Sequence, residues 1–264
     1  MGLFQTFSDD GGLQLDCDLA TYFMRAKGQA STTTRTVGNS SPSSLTITLP
    51  PGYVLPFVAV QCAAGKIGLL RTFENSDGSV SYAYVSDAPV GSTVNYWVFD
   101  NPVALSPSNG GVTLFDDQGR VTYSSDYGPM MAVDVLALGA EPGSFYDRPW
   151  APLQASSTRP GRSLAFAQSC YGGHRNKGML VAYGASGPTR PEPGRRYTWR
   201  FANDGKLYGA RADGDTVTMG AISFDDVSST VGTNITETEA QSRYDAILDF
   251  VVRGIGLVVD VTNL

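Results

Sequence analysis

Histidine is almost missing from this chain of 264 residues, which carries one, His174. Any mechanism that needs an imidazole base must pass through that single residue. Cysteine is nearly as scarce: Cys17, Cys62 and Cys170 leave at least one thiol unpaired, and none shows the C-x-x-C spacing of a zinc or redox site. The simplest expectation is buried apolar thiols in a reducing compartment. Charge is also low, at 17% of residues, with 19 Lys and Arg against 25 Asp and Glu and a net charge of −6. No basic excess is available to neutralise phosphates, so nucleic-acid binding is not expected. Long apolar runs are absent too. The longest, around Val54 to Ala64, is broken by Pro56 and Gln61 and falls short of the ~20 residues that span a bilayer. The opening Met1-Gly2-Leu3-Phe4-Gln5 lacks a basic segment followed by an apolar one, so the chain is expected to stay where it is translated.

What is abundant is turn chemistry. Thirty glycines and frequent Ser and Thr suit short strands joined by tight turns. Leu45, Ile47 and Leu49 alternate with threonines, and Ile67, Leu69, Arg71 and Phe73 keep the same two-residue period, which buries one face of a sheet. Val54 to Ala64 reads as a strand covered on both faces. Val80 to Val85 and Val94 to Phe99 follow, separated by Asn75-Ser76-Asp77-Gly78 and Pro89-Val90-Gly91-Ser92. Further strands are expected at 163–169, 179–183, 197–201, 206–211 and 216–224, with Asn203-Asp204-Gly205 as a hairpin turn. Tyr146 to Gly161 reads as an extended excursion or surface loop. Ala240 to Val252 fits either a helix or a strand, and Ile255 to Thr262 a closing strand.

The turn-rich Ser106-Pro107-Ser108-Asn109-Gly110-Gly111 marks a boundary, since Pro cannot donate to a sheet ladder. After it the opening repeats. Phe115-Asp116-Asp117-Gln118-Gly119-Arg120-Val121-Thr122-Tyr123 echoes Phe7-Ser8-Asp9-Asp10-Gly11-Gly12-Leu13-Gln14-Leu15 without gaps, 108 residues on. Each copy reads as a β-hairpin whose acidic turn holds a Gly at positive φ, with the Phe and the alternating Leu or Val facing a core. The expected fold is therefore all-β, as two β-sandwich-like domains that each open with a hairpin: 1–103, a linker at 104–111, and 112–264.

These motifs carry a resemblance. Gly111 to Tyr123 is similar to a hairpin of the form Gly-hydrophobic-x-Phe/Tyr-Asp-x-x-Gly-x-hydrophobic, and Met131-Ala132-Val133-Asp134-Val135 to a short strand ending in Val-Asp-Val. Tyr96-Trp97-Val98-Phe99-Asp100 and Leu257-Val258-Val259-Asp260-Val261-Thr262 supply similar strand endings. In this order the chain resembles bacteriophage tail-tip and baseplate-associated proteins. The resemblance implies a virion structural protein, assembled in the host cytoplasm into the tail as an oligomer with other tail subunits. It implies no catalytic residue, metal or cofactor. Two alternatives stand beside it, a globular receptor-binding adhesin that meets a bacterial surface receptor and a surface-glycan depolymerase.

The residues themselves favour binding over chemistry. Cys170 and His174 lie in Ser169-Cys170-Tyr171-Gly172-Gly173-His174, a Gly-rich turn with no partner sequence to orient a base. Asp9-Asp10, Asp116-Asp117 and Asp225-Asp226 lack calcium-loop spacing. No spacing singles out the two carboxylates that glycan cleavage requires. Arg and aromatic side chains, the commonest interface anchors, concentrate in the second half, which nominates Trp150, Tyr171, Arg175, Tyr183, Arg195, Arg196, Tyr197 and Trp199 as a contact surface. Heptads and β-helical repeats are lacking, so an adhesin built from this chain would be globular.

Overall fold

The computed structural model describes residues 5–7, 13–16, 22–34, 43–101, 111–138, 154–168, 173–184, 187–245, 250–252 and 254–264. These residues form an all-β structure with a single α-helix. The segments 8–12, 102–110 and 139–153 lie outside it, so the linker expected at 104–111 is described only at Gly111.

Both hairpins form, and their pairing is the same residue for residue. In the first, β1 (Gln5–Phe7) and β2 (Leu13–Asp16) pair Gln5 with Asp16, Thr6 with Leu15 and Phe7 with Leu13, with a bulge between Thr6 and Phe7. After the strands β3 (Phe23–Ser31), β4 (Thr33–Thr34), β5 (Ser43–Leu49), β6 (Phe57–Gln61), β7 (Ile67–Glu74), β8 (Val80–Ser86) and β9 (Thr93–Asp100), the second hairpin follows. Its β10 (Thr113–Phe115) and β11 (Val121–Ser124) pair Thr113 with Ser124, Leu114 with Tyr123 and Phe115 with Val121, and bulge between Leu114 and Phe115. Every position matches at the 108-residue spacing read from the sequence. The second turn shows why its residues are acidic and glycine: Asp116 Oδ1 accepts from the amides of Gln118 and Arg120, and Gly119 sits at φ 74°. One expectation is corrected. Phe115 does not face the core but is 46% exposed, because the bulge beside it re-aims its side chain, whereas Val121 opposite is buried.

The spacing persists beyond the hairpins. The second half continues with β12 (Met131–Leu138), β13 (Ala155–Thr158), β14 (Leu164–Gln168), β15 (Gly173–Gly184), β16 (Gly187–Thr189), β17 (Tyr197–Asp213), β18 (Thr216–Ile235), β19 (Phe250–Val252) and β20 (Gly254–Asp260). One sheet runs β12-β20-β14-β6-β9-β3 and reads the same from either end, since β6-β9-β3 and β14-β20-β12 are equivalent triplets. β3 pairs β9 with a bulge between Met24 and Ala26, and β12 pairs β20 with a bulge between Ala132 and Asp134. The second sheet follows the same rule along β13-β18-β17-β7-β8-β5, with β4 added beyond β5. The halves meet antiparallel in both sheets: Ala59 opposite Ala167, residues that are themselves equivalent, in one, and Ile67 opposite Ala210 in the other. Met130 N also donates to Tyr22 O at 2.7 Å, again across equivalent positions. The topology is that of two like sandwiches joined edge to edge about an approximate twofold axis, with both sheets continuous across the join.

Alternation explains the packing. Val58, Val60, Val94 and Val98 face Leu45, Ile47, Ile67, Leu69 and Tyr84 inside the first sandwich, and Phe166, Val258, Leu136 and Leu138 face Tyr208, Val217 and Met219 inside the second. A third cluster joins them on the other face of the six-stranded sheet, where Ala59, Trp97 and Phe99 pack with Ala165, Ala167 and Val259. Cys62 is buried and free, as a small apolar residue; Cys17 and Cys170 lie outside the described residues. The run Val54 to Ala64 is shorter as a strand than expected. Only Phe57–Gln61 is strand, and Val54 and Leu55 are more than half exposed because Asp100 takes their amides out of any ladder. Ala155–Thr158, expected within an excursion, is a strand on β18.

Tyr82 gives a pH test of this core. Its hydroxyl donates to Pro56 O, and burial, with the Asp100 charge adding to it, pushes its pKa up to about 12. Burial raises Tyr84 as well. The unfolded chain gives up such protons near pH ~10, so this contribution is whole below ~10 and is lost as pH climbs toward the folded value. Urea unfolding should therefore show stability falling from about pH 10 upward, less steeply in Tyr82→Phe. A Tyr82 phenolate forming at its ordinary value would contradict the burial.

Candidate functional site

The two halves differ by an insertion. Equivalent residues are 108 apart up to β14 but 160 apart at the strand ends Asp100 and Asp260, so the second half carries 52 further residues between β14 and β20. These residues build a lobe in which β17 and β18 run on past the sandwich, β15 pairs with β16, β17 and β19, and a helix, α1 (Glu237–Asp245), closes the end. The helix starts at Thr236, whose amide donates to Glu239 Oε2 at 2.8 Å, a reciprocal cap that also holds the Glu239 carboxyl below its usual range. Asn203-Asp204-Gly205 is not a turn, as expected, but lies within β17 opposite Asp225 to Val227. It marks the bulge between Gly205 and Lys206, and the turn is made instead at Gly214, φ 59°.

Six of the eight expected contact residues are described in this lobe. Tyr197 and Trp199 are corrected from surface to core: both are buried with Ala182, Ile235 and Ala240, stacked edge to face at 6.3 Å, and Trp199 Nε1 donates to Ile235 O at 3.1 Å. Aromatic content alone could not separate the two roles, since such residues serve cores and interfaces alike. Their neighbours point outward. Arg195 lies over the Tyr197 ring at 5.9 Å and pairs with Glu192 at 3.0 Å, whose carboxylate holds the guanidinium above its ordinary pKa. Arg196 donates to Asn234 O at 3.0 Å, and Arg200 covers the Tyr183 ring at 5.1 Å. Arg175 lies in β15 opposite Gly205 and Phe250. Trp150 and Tyr171 are outside the described residues. Arg195, Arg196 and Arg200 are exposed, and Tyr183 is half-buried.

His174 lies in β15 opposite Lys206 and Val251 rather than in a turn, and Cys170 is outside the described residues. Among the described residues no group of three His, Cys, Asp or Glu could hold a metal. Also among them, no helix is long and apolar enough to cross a membrane.

Sequence reasoning missed a pair of aspartates. The Val-Asp-Val of 133–135 and that of 259–261 are not equivalent but lie on adjacent strands, β12 and β20. The equivalents are Asp100 and Asp260. Asp100 is fully buried, binds Arg25 at 2.7 Å and accepts the amides of Val54, Leu55 and Asn101. Asp260 binds Arg162 at 3.1 Å and accepts from Thr262. The signal was present as a shared strand ending, but its partners are distant in sequence.

Comparison with family models, curated proteins and solved structures returned no match. The class that the geometry defines is an all-β protein of two like sandwiches, with a lobe on the second.

Proposed function

We propose that this protein is a structural subunit of a bacteriophage tail tip or baseplate, present as an oligomer among other tail subunits, with the lobe of its second half turned toward a bacterial surface receptor. The observation that carries this reading is the duplicated hairpin, paired in one register at a spacing of 108 residues. It supports the Phe-Asp-x-x-Gly motif as a repeated structural unit rather than a chance likeness of turns. A chain that doubles one sandwich and puts its variation into a single insertion suits an assembly part with one specialised face. The reading assigns no catalytic residue and no cofactor. Its alternative, a globular receptor-binding adhesin, is favoured by the exposed Arg195, Arg196 and Arg200 and is compatible with a place in the tail.

The test is mass spectrometry of purified particles, with gold-labelled antibody in electron micrographs. The chain is expected in stoichiometric amount at the tail end distal to the head. Particles that lack it while remaining infectious would overturn the proposal. Within such particles, Arg195→Ala with Arg196→Ala should slow adsorption while leaving the melting profile unchanged, since exposed charge contacts add little to stability.

A further inference from the structure

We propose that the seam between the two halves is a binding site for a neutral saccharide. β7 and β17 share one ladder pair, Ile67 with Ala210, which joins the two parts of this sheet. The touch is close because both strands carry glycine there: a Cβ on Gly209 would lie 2.5 Å from Ile67 O, and one on Gly68 2.7 Å from Tyr208 O. Beside it opens a cleft of about 470 Å³, within the usual range of ligand sites. The first half contributes Lys66, and the second contributes Gln154, Arg211, Asp213, Thr216 and Thr218. Lys66 is thus the first half's share of a cleft whose other lining belongs to the second half.

The lining selects the ligand. Arg211, Asp213, Thr216 and Thr218 stand on the outward face of the β17–β18 ladder, with Arg211 opposite Thr218 and Asp213 opposite Thr216, while Ala210, Ala212 and Val217 turn into the core. These four side chains are thus fixed on strands. Both cations are already neutralised: Arg211 pairs with Asp213 at 2.7 Å, and Lys66 with Asp87. A free anion would have to displace a carboxylate, so phosphate and sulfate are poor ligands. Among the described residues no aromatic ring lines the cleft, and Met219 and Gly220 are its least polar members, which disfavours a large apolar ligand. Vicinal hydroxyls fit what remains. They accept from Arg211 and Gln154, donate to Asp213, and do both with Thr218, while Thr216, whose proton goes to Asp215, can only accept.

The inference does not depend on the tail reading, because it concerns this cleft whatever the chain assembles into. The experiment is a ¹H–¹⁵N titration of the full chain with maltotriose, mannotriose, galactobiose and a rhamnose trisaccharide, with sodium sulfate and inorganic phosphate as separate arms. At least one saccharide should shift the amides of 211–220 with a dissociation constant of about 1 mM. Arg211→Ala and Thr218→Val, each checked for an unchanged melting profile, should weaken that binding about tenfold or more; Arg211→Lys should restore part of it. Three outcomes would overturn the proposal: no saccharide shifts these amides at about 20 mM, the anions shift them and the saccharides do not, or both variants bind as well as the parent chain.

Discussion

Asp100→Ala should cost this protein about 3–5 kcal/mol, the range measured when one partner of a buried ion pair is removed. The carboxylate has no solvent exposure and serves four donors at once: the Arg25 guanidinium and the amides of Val54, Leu55 and Asn101. Deleting it strands a partly buried cation and leaves three backbone N–H groups to find water. Arg25 also donates to Gly52 O at 3.0 Å and lies over the Tyr53 ring at 4.4 Å, so the loop from Gly52 to Leu55 is fastened at several points by one pair. A thermal scan should show the midpoint down by roughly 10 °C, and Val54 and Leu55 amides should exchange faster. Asp100→Asn keeps the shape but not the charge and should fall between. Asp260→Ala, the equivalent change, should cost less, about 1–3 kcal/mol, because its partner Arg162 is more than half exposed and meets water instead. Equal losses at the two sites, or a loss under 1 kcal/mol at Asp100, would mean that this carboxylate does not hold the loop.

Local patterns were legible in the sequence, and long-range pairing was not. Leu45, Ile47 and Leu49 alternate in the chain and in their burial, because period two is a property of the strand itself. The hairpin spacing could be read because both ends of each hairpin lie within a dozen residues. By contrast, nothing local to Asn203-Asp204-Gly205 distinguishes a turn from a bulge; that choice is made by β15 and β18, which pair along both sides of it. The contact residues divided for a similar reason. Trp199 is buried and Arg200 exposed because neighbours on a strand point to opposite faces, and the sequence does not say which face the helix α1 will cover. The join of the halves was the least visible feature, since Ala59, Ala167, Gly68 and Gly209 matter there for being small. Small residues carry no signal until the strand opposite is known.

That join is the subject of the last expected result. Gly209→Ala places a methyl 2.5 Å from Ile67 O and 2.6 Å from Gly68 N, both main-chain atoms of the neighbouring strand that no rotamer change can move aside. Gly68→Ala places one 2.7 Å from Tyr208 O from the other side. Each should cost about 1–3 kcal/mol or more, since β7 and β17 must separate where they touch and a well-packed sheet resists the shift. Gly184→Ala is the control: it also lies in a strand, but the nearest atom to its new methyl is a side-chain carbon at 3.5 Å, so its effect should stay under about 1 kcal/mol. Hydrogen exchange would place the damage, with Ile67, Gly68 and Ala210 losing protection first while Ala59 and Ala167, in the other sheet, hold the halves together. Gly209→Ala melting no earlier than Gly184→Ala would show that the two sandwiches are not joined through β7 and β17, and the cleft beside that contact would lose its wall.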